Sequence, residues 1–309
     1  MTPGEPPRLG VVVVNYASHE LLETLLLPLG RDHVVVADSF SSVREQRALQ
    51  GLAARHGWQL ALLADNPGFG SAANEGARLA VAAGCDVLLL LNPDAEATPE
   101  VVEALAGQVR AEPDVVVSPR IVRPDGRVWF RGGDLDLRRG MTSSSEHPVE
   151  PWLTATVLAV NASTWTAVGG FDPDYFMYWE DIDLSFRLRR AGARLVVRQD
   201  LTAVHAAGGT QETSGRTKSP LYYRGNCRGR LVFAAKHLST SQQLRWLVGS
   251  PVYGRDVLYR GGRRQLLHPR RTVLPAAAGT LAGAWHVVRA ITSRRQATTT
   301  AVGGPSGHG

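Results

Sequence analysis

Cysteine is almost missing from this chain. Cys85 and Cys227 are the only two among 309 residues, far apart and in no metal-ligand spacing. That excludes a disulfide framework or a cysteine-based zinc cluster and suits a reducing compartment. Met1 to Gly10 has no apolar core of signal-peptide length and reads as a Pro-rich lead-in, so the expected location is the cytoplasm. The first apolar run ends in Asn15-Tyr16-Ala17-Ser18 and not in a Gly-x-Gly-x-x-Gly turn, which disfavours a nicotinamide enzyme. A Walker-type Gly-Lys-Ser/Thr turn is missing as well. Acidic residues are scarce beyond Phe186: residues 187–309 hold 21 Lys/Arg against 3 Asp/Glu, whereas residues 1–186 hold 13 against 25. The overall charge of +6 therefore hides an acidic body and a basic tail that faces something anionic.

What is present is an α/β pattern. Leu9 to Asn15 is a β-branched run of the kind found in a strand buried on both faces. His33 to Asp38, Leu60 to Ala64 and Asp86 to Leu91 repeat it, with helical stretches at His19 to Leu29 and Ser42 to Gly57. Alternating strands and helices predict parallel βαβ units in a doubly wound sheet. Polar residues follow the carboxyl ends of these strands (Asn15 and Tyr16, Asp38 and Ser39, Asp65 and Asn66, Asn92 and Asp94), the edge where open α/β sheets bind ligands. Singly, each is also an ordinary turn residue. Gly68 and Gly70 are read as letting the backbone come close to a ligand. Asn92-Pro93-Asp94 offers a carboxylate to a hard divalent cation carrying a diphosphate.

Further along, Val115 to Val122 and Arg127 to Phe130 predict a hairpin, and Arg131 to Pro151 reads as a surface loop or flap without periodicity. Trp152 to Val160 is strand-like, Ser163 to Val168 a short helix, and Arg194 to Arg198 a short strand. The stretch Leu201 to Gly209 carries His205 beside a Gly-Gly pair. Phe176 to Leu184 places three carboxylates, Glu180, Asp181 and Asp183, behind aromatics and ahead of a basic run, at the mouth of a helix. Two readings fit that cluster. The charges cap the helix dipole, or Tyr178 and Trp179 wall one carboxylate from water and poise it as a general base.

Taken in order, Val11 to Asn15, Val35 to Ser39, Asn66 to Gly70 with Asn74, Leu91 to Asp94, Gly169 to Asp172, Phe176 to Leu184 and His205 resemble inverting family 2 glycosyltransferases with a GT-A fold. The branch is rhamnosyltransferase-like or galactofuranosyltransferase-like. The resemblance covers about residues 9 to 236 and implies a Rossmann-like mixed sheet. It further implies transfer of a sugar, first L-rhamnose from dTDP-rhamnose, to a hydroxyl of a glycan or lipid-linked acceptor in polysaccharide or cell-wall biosynthesis. The alternatives are a hydrophobic small-molecule acceptor and an inactive nucleotide-sugar-binding protein.

By position, the resemblance implies that Asp38 binds the base or ribose, with Tyr16, Asn66, Gly70 and Asn74 completing the nucleotide pocket. Asp94 and His205 are implied to ligate Mg²⁺ or Mn²⁺, with Asn92 in place of the usual first acid. Asp181 is implied as the base, with Trp179, Glu180 and Asp183 orienting the acceptor or the helix end. The chain departs from the family pattern at Asn161-Ala162-Ser163 and at Ser39-Phe40, positions that bear on the acceptor and on the nucleoside.

Pro220 to Lys236 reads as a basic amphipathic segment. Thr272 to Val288 lacks formal charge over 17 residues between Arg270-Arg271 and Arg289, and is too weakly apolar for a membrane span. It is expected to lie on an anionic membrane surface, at the inner face of the plasma membrane, or else to pack as a helical hairpin or at a homodimer interface. Nucleic-acid binding is disfavoured, because the arginines are not interleaved with aromatics and the body is acidic. The expected organisation is a disordered lead-in over 1–8, a GT-A domain over 9–236, a basic helical extension over 237–295 and a disordered tail over 296–309.

Overall fold

The computed structural model describes residues 8–30, 33–206 and 218–302, with the backbone alone at 295 and 297–302. The lead-in over 1–7, the Gly208-Gly209 pair and residues 303–309 lie outside the described residues. In chain order the first elements are β1 (Leu9–Asn15), α1 (His19–Leu26), β2 (Val34–Asp38), α2 (Val43–His56), β3 (Gln59–Leu62), α3 (Phe69–Ala82), β4 (Val87–Leu91), β5 (Ala95–Glu96), α4 (Pro99–Ala111), β6 (Val115–Val122) and β7 (Val128–Phe130). There follow β8 (Gly133–Asp136), β9 (Met141–Ser144), β10 (Pro151–Trp152), β11 (Val157–Asn161), α5 (Ala162–Val168), α6 (Glu180–Arg190) and β12 (Arg194–His205). The last are α7 (Pro220–His237), α8 (Thr240–Val248), α9 (Ser250–Arg260) and α10 (Val273–Val302).

The chain forms two compact units, Met1–Leu135 with Thr142–Gly215, and Asp136–Met141 with Arg216–Gly309. Among the described residues, the main sheet of the first unit runs β3-β2-β1-β4-β11-β6-β12-β5, with β7 on β6. The strands β3, β2, β1 and β4 are parallel, as the βαβ rhythm predicts, while β11 enters antiparallel beside β4. A strand side chain alternates between faces, so Val11 and Val13 pack in one apolar layer with Leu22, Leu25 and Val102. Val12 and Val14 pack in the other with Ala73, Ala77, Trp165 and Leu188. Thr98 caps α4 through the Val101 N–H with Pro99 at its first turn, and Ser42 caps α2 through the Glu45 N–H.

Two expectations for this unit are corrected. Arg131 to Pro151 is not a plain loop: β8 sits between β9 and β10 in a small separate sheet. Close packing carries it, since a Cβ at Gly133 would fall 2.0 Å from the Trp152 ring. Arg194 to Arg198 and the His205 stretch are one strand, β12, running parallel to β6 with an irregularity between Arg198 and Thr202.

In the second unit α7 is buried almost all round, from Tyr223 through Cys227, Arg230 and Phe233 to Ala235. Its predicted amphipathic character is therefore wrong, and it groups with the later helices and not with the sheet. Its neighbour α10 approaches closely because Gly279 and Gly283 leave room: a Cβ there would meet Arg224 O at 2.2 Å and Leu231 Cβ at 2.7 Å. The tail expected to be disordered from Gln296 is helical to Val302. Among the described residues no helix is long and apolar enough to cross a membrane.

Candidate active site

The parallel register sets Asn15 beside Asp38 at the carboxyl ends of β1 and β2. Asn15 Nδ2 donates to Asp38 Oδ1 at 2.7 Å, and Asn15 Oδ1 accepts from the Ser18 N–H and hydroxyl. Asp38 Oδ2, Ser39 Oγ and Ser41 Oγ are buried with no protein partner. Unpaired buried polar atoms are disfavoured by about 1–3 kcal/mol each unless a ligand or water meets them. Their clustering at one strand end therefore marks a polar pocket. Tyr16 stands half-exposed beside it, followed by Ala17 in the left-handed region at φ 51°. Asn15 as the group that aims Asp38 was not assigned a role from sequence; the signal available was an amide closing an otherwise apolar strand.

The second cluster lies past β4. Asn92 donates its N–H to Thr156 O on the way into β11, and the turn closes with Ala95 N to Asn92 O. The two-residue β5 then pairs antiparallel with the end of β12, placing Ala95 opposite His205, while Ala206 N donates to Asp94 O. This ladder brings Asp94 Oδ1 to 3.1 Å from His205 Nε2 across 111 residues of sequence. Trp129 meets the His205 ring edge-on at 4.7 Å, and Nδ1 of His205 and Oδ1 of Asn92 are buried without partners. A carboxylate and an imidazole abreast, with an orphaned amide oxygen two residues from the carboxylate, fit a divalent cation that takes its remaining ligands from a diphosphate and water. A dedicated cage is not what they fit: among the described residues no group of three His, Cys, Asp or Glu forms one.

The third cluster is the start of α6. Tyr178 and Trp179 hold left-handed φ of 71° and 76° in succession. For non-glycine residues that is a strained approach of about 1–2 kcal/mol each, of the kind that collects at functional sites. Asp181 Oδ1 accepts the Ile182 N–H at 2.8 Å. Burial raises the carboxyl groups of both Glu180 and Asp181 above the ordinary carboxylate range. Backbone N–H bonds oppose the rise in both, and Glu180 is pushed further by the charges of Asp181 and Asp183. Asp181 keeps a path to solvent although packed round with protein.

Several assignments change here. Asp183 does not face an acceptor: it is fully buried, accepting from Tyr175 Oη at 3.2 Å and Arg187 Nε at 2.7 Å. Of its two expected tasks the helix-end one is what its contacts serve. The side chain of Trp179 is buried at the helix entry, so it shapes the turn and presents little surface to an acceptor. Both ends of the Asn74 amide are taken up by the chain itself, with Nδ2 donating to Phe171 O at 2.7 Å and Oδ1 accepting the Phe171 N–H at 2.8 Å.

The glycines likewise make room for protein and not for ligand. A Cβ at Gly68, φ 95°, would fall 2.1 Å from Phe176 O, and one at Gly70 would fall 2.8 Å from Phe171 Cβ. Asn66 closes the same turn by accepting the Gly68 N–H. The Asn66 to Asn74 stretch thus frames the loop that delivers α6. Ser185 of α6 accepts the Leu153 N–H at 3.0 Å. Segment 153–156 consequently joins the acid helix at one end and the Asn92 turn at the other.

The family model described as Glycosyl transferase family 2 matches residues 11–164, so α6 lies beyond the matched residues. An N-acetylglucosaminyl-diphospho-decaprenol L-rhamnosyltransferase of Mycobacterium tuberculosis is 34% identical over 131 residues, 35% of this chain and 42% of the relative. A rhamnosyltransferase of Escherichia coli is 44% identical over 59 residues, 19% of this chain and 22% of its own. The chain spans less than half the length of these two relatives. A mannosyltransferase from Pyrobaculum calidifontis, solved with GDP-Man and Mn²⁺, superposes with a TM-score of 0.54 at 17% identity, over 93% of this chain and 88% of its own. At that identity the likeness is one of fold, and the fold is GT-A. The chain belongs to glycosyl transferase family 2 and is similar there to rhamnosyltransferases.

Proposed function

We propose that this chain is a metal-dependent inverting glycosyltransferase that moves L-rhamnose from dTDP-rhamnose to a hydroxyl of a lipid-linked or glycan acceptor. The observation that carries the reading is the division of labour between two carboxylates: Asp94 lies against His205 Nε2, while Asp181 sits at a helix mouth, raised in proton affinity. The names of the relatives support rhamnose as the sugar and a diphospho-prenol as the acceptor class.

Asp38, aimed by Asn15, would take the nucleoside with Ser39 and Ser41 hydroxyls in reach of the same pocket. Asp94 and His205 would hold Mg²⁺ or Mn²⁺, which supplies charge to stabilise the departing diphosphate. Asp181 takes the proton from the acceptor hydroxyl as that oxygen bonds to the anomeric carbon, and the electrons of the broken glycosyl–phosphate bond leave with the diphosphate. Configuration inverts.

Nucleotide-sugars are screened with Mn²⁺ for nucleoside diphosphate release and for thermal stabilisation. Asp181→Asn is expected to keep donor stabilisation and lose transfer by about 10²–10⁴-fold. Asp94→Ala loses the Mn²⁺-dependent part of donor stabilisation. The acid limb of the wild-type rate lies above the ordinary carboxylate range, because Asp181 works only when ionised. Transfer by Asp181→Asn at the wild-type rate removes the base assignment.

A further inference from the structure

From Arg216 onward the chain carries 16 Lys/Arg against one acidic residue, Asp256, and Asp256 is taken up by Arg260 at 2.7 Å. Within this unit α10 is apolar on two opposite faces. Ala276, Gly279, Gly283 and Val287, spaced by three and four, turn inward, and the two glycines meet α7. Leu274, Leu281, Trp285 and Val288 follow the same spacing on the other side, with Leu281 73% and Trp285 62% exposed. Packing of α10 on α7, α8 and α9 leaves Leu281 and Trp285 of that second stripe exposed.

The outer stripe does not end at α10. Val273 and Leu281 line a groove of about 500 Å³ together with Leu258 and Tyr259 of α9 and Leu266 of the connecting turn. Beyond it Leu267 is 79% exposed. Arginines border this surface: Arg263, Arg264, Arg270 and Arg271 are exposed ahead of the helix, and Arg289 is exposed at the end of the stripe.

An apolar strip with arginines along its margins suits a headgroup boundary, where the apolar groups enter the acyl region and the guanidinium groups meet phosphates. The stripe also has the spacing of a helix–helix seam. A second copy, however, would bring one strongly basic face against another, whereas an anionic surface is complementary to it. No described helix is suited to spanning, so the contact lies along the surface.

We propose that the outer face of α10, with the groove it shares with α9, docks this chain on bilayers rich in anionic phospholipid. The docking face does not depend on the transfer chemistry or on which sugar is moved.

The full chain is mixed with phosphatidylcholine vesicles, with and without an equal share of phosphatidylglycerol, and floated on a density gradient. It is expected to float with the anionic vesicles, to stay behind with phosphatidylcholine alone, and to be released near 1 M salt, where the screening length is ~3 Å. Leu281→Glu combined with Trp285→Glu abolishes flotation. Arg270→Ala combined with Arg271→Ala weakens partitioning roughly 25-fold, at roughly fivefold for each basic residue near an anionic surface. All four positions are exposed, so an unchanged unfolding midpoint is expected in both variants, and either variant alone is a sufficient test. Failure to float, equal flotation with neutral vesicles, flotation undiminished in either variant, or a concentration-dependent dimer that Trp285→Glu dissociates would each overturn the proposal.

Discussion

Two adjacent carboxyl groups at the start of α6 differ in what surrounds them, and that difference separates their chemistry. Asp181 has the Ile182 N–H; Glu180 Oε2 is buried with no partner and faces two neighbouring negative charges. Because the folded chain holds the Glu180 proton more tightly than the unfolded chain does, the native state binds more protons over the interval between the two values. Stability therefore falls as pH rises through that interval and levels off above the raised native value. Glu180→Gln keeps the neutral form at every pH. Its unfolding midpoint is expected to exceed the wild-type midpoint at pH 8 by roughly 2–4 °C per kcal/mol recovered, and by less at pH 5. Calorimetry at the two pH values checks this, and equal shifts at both would show that Glu180 titrates normally.

Among elements, α3 is joined to the loop leading into α6 by a short set of contacts that the sequence motif disguises. Asn74 closes a two-hydrogen-bond clamp on Phe171, Gly170 lies so near that a Cβ would fall 2.3 Å from Asn74 Oδ1, and Phe69 N donates to Phe176 O. The clamp sets where the loop carrying Tyr178 and Trp179 runs, and so where Asp181 is presented. Asn74→Ala leaves the N–H and C=O of the buried residue Phe171 unmet and is expected to destabilise by about 1–3 kcal/mol, read from the denaturant midpoint. Turnover should fall while donor-induced stabilisation is retained. The reverse pattern, full stability with lost donor binding, would return Asn74 to the nucleotide pocket.

At the scale of the whole molecule, the second unit is assembled from two separate stretches of chain, and one buried cation explains why. Arg230 donates to Gly140 O at 2.9 Å, Arg139 O at 2.8 Å and Trp246 O at 2.8 Å, with its guanidinium between the Trp246 and Tyr253 rings. Trp246 Nε1 adds a bond to Leu137 O. Burial lowers the Arg230 pKa to about 10, so the group stays charged at neutral pH and its charge is met by carbonyls and aromatic faces. A chain ended at Gly215 strips residues 136–141 of these donors. Amide hydrogen exchange there is expected to rise about tenfold or more, at about 1–3 kcal/mol for each unmet carbonyl. Arg230→Met in the full chain should raise exchange at the same residues, and protected amides in both would show that segment 136–141 is held by other means.

Local chemistry alone settled the parallel half of the sheet. Fully buried β-branched strands leave one pattern for β1, β2 and β4, helix periodicity fills the gaps, and the polar residues past each strand mark the ligand edge because that is where such strands end. It also put Asp38 and Asp94 at that edge and grouped Asp181 with two other carboxylates, whereas the parts expected of Asp181 and His205 came from the resemblance to the family. What sequence left undecided was each side chain's partner, since a hydrogen bond across 97 residues, such as Asn74 to Phe171, has no local signature. The same motif letters served both outcomes: Asp181 stayed reachable from solvent while Asp183, two residues on, turned inward to Arg187, a choice made by helix geometry and the groups packed behind it. Likewise Arg230 counted as one more basic residue in an amphipathic segment until packing surrounded it, because burial is a property of neighbours and not of the residue itself.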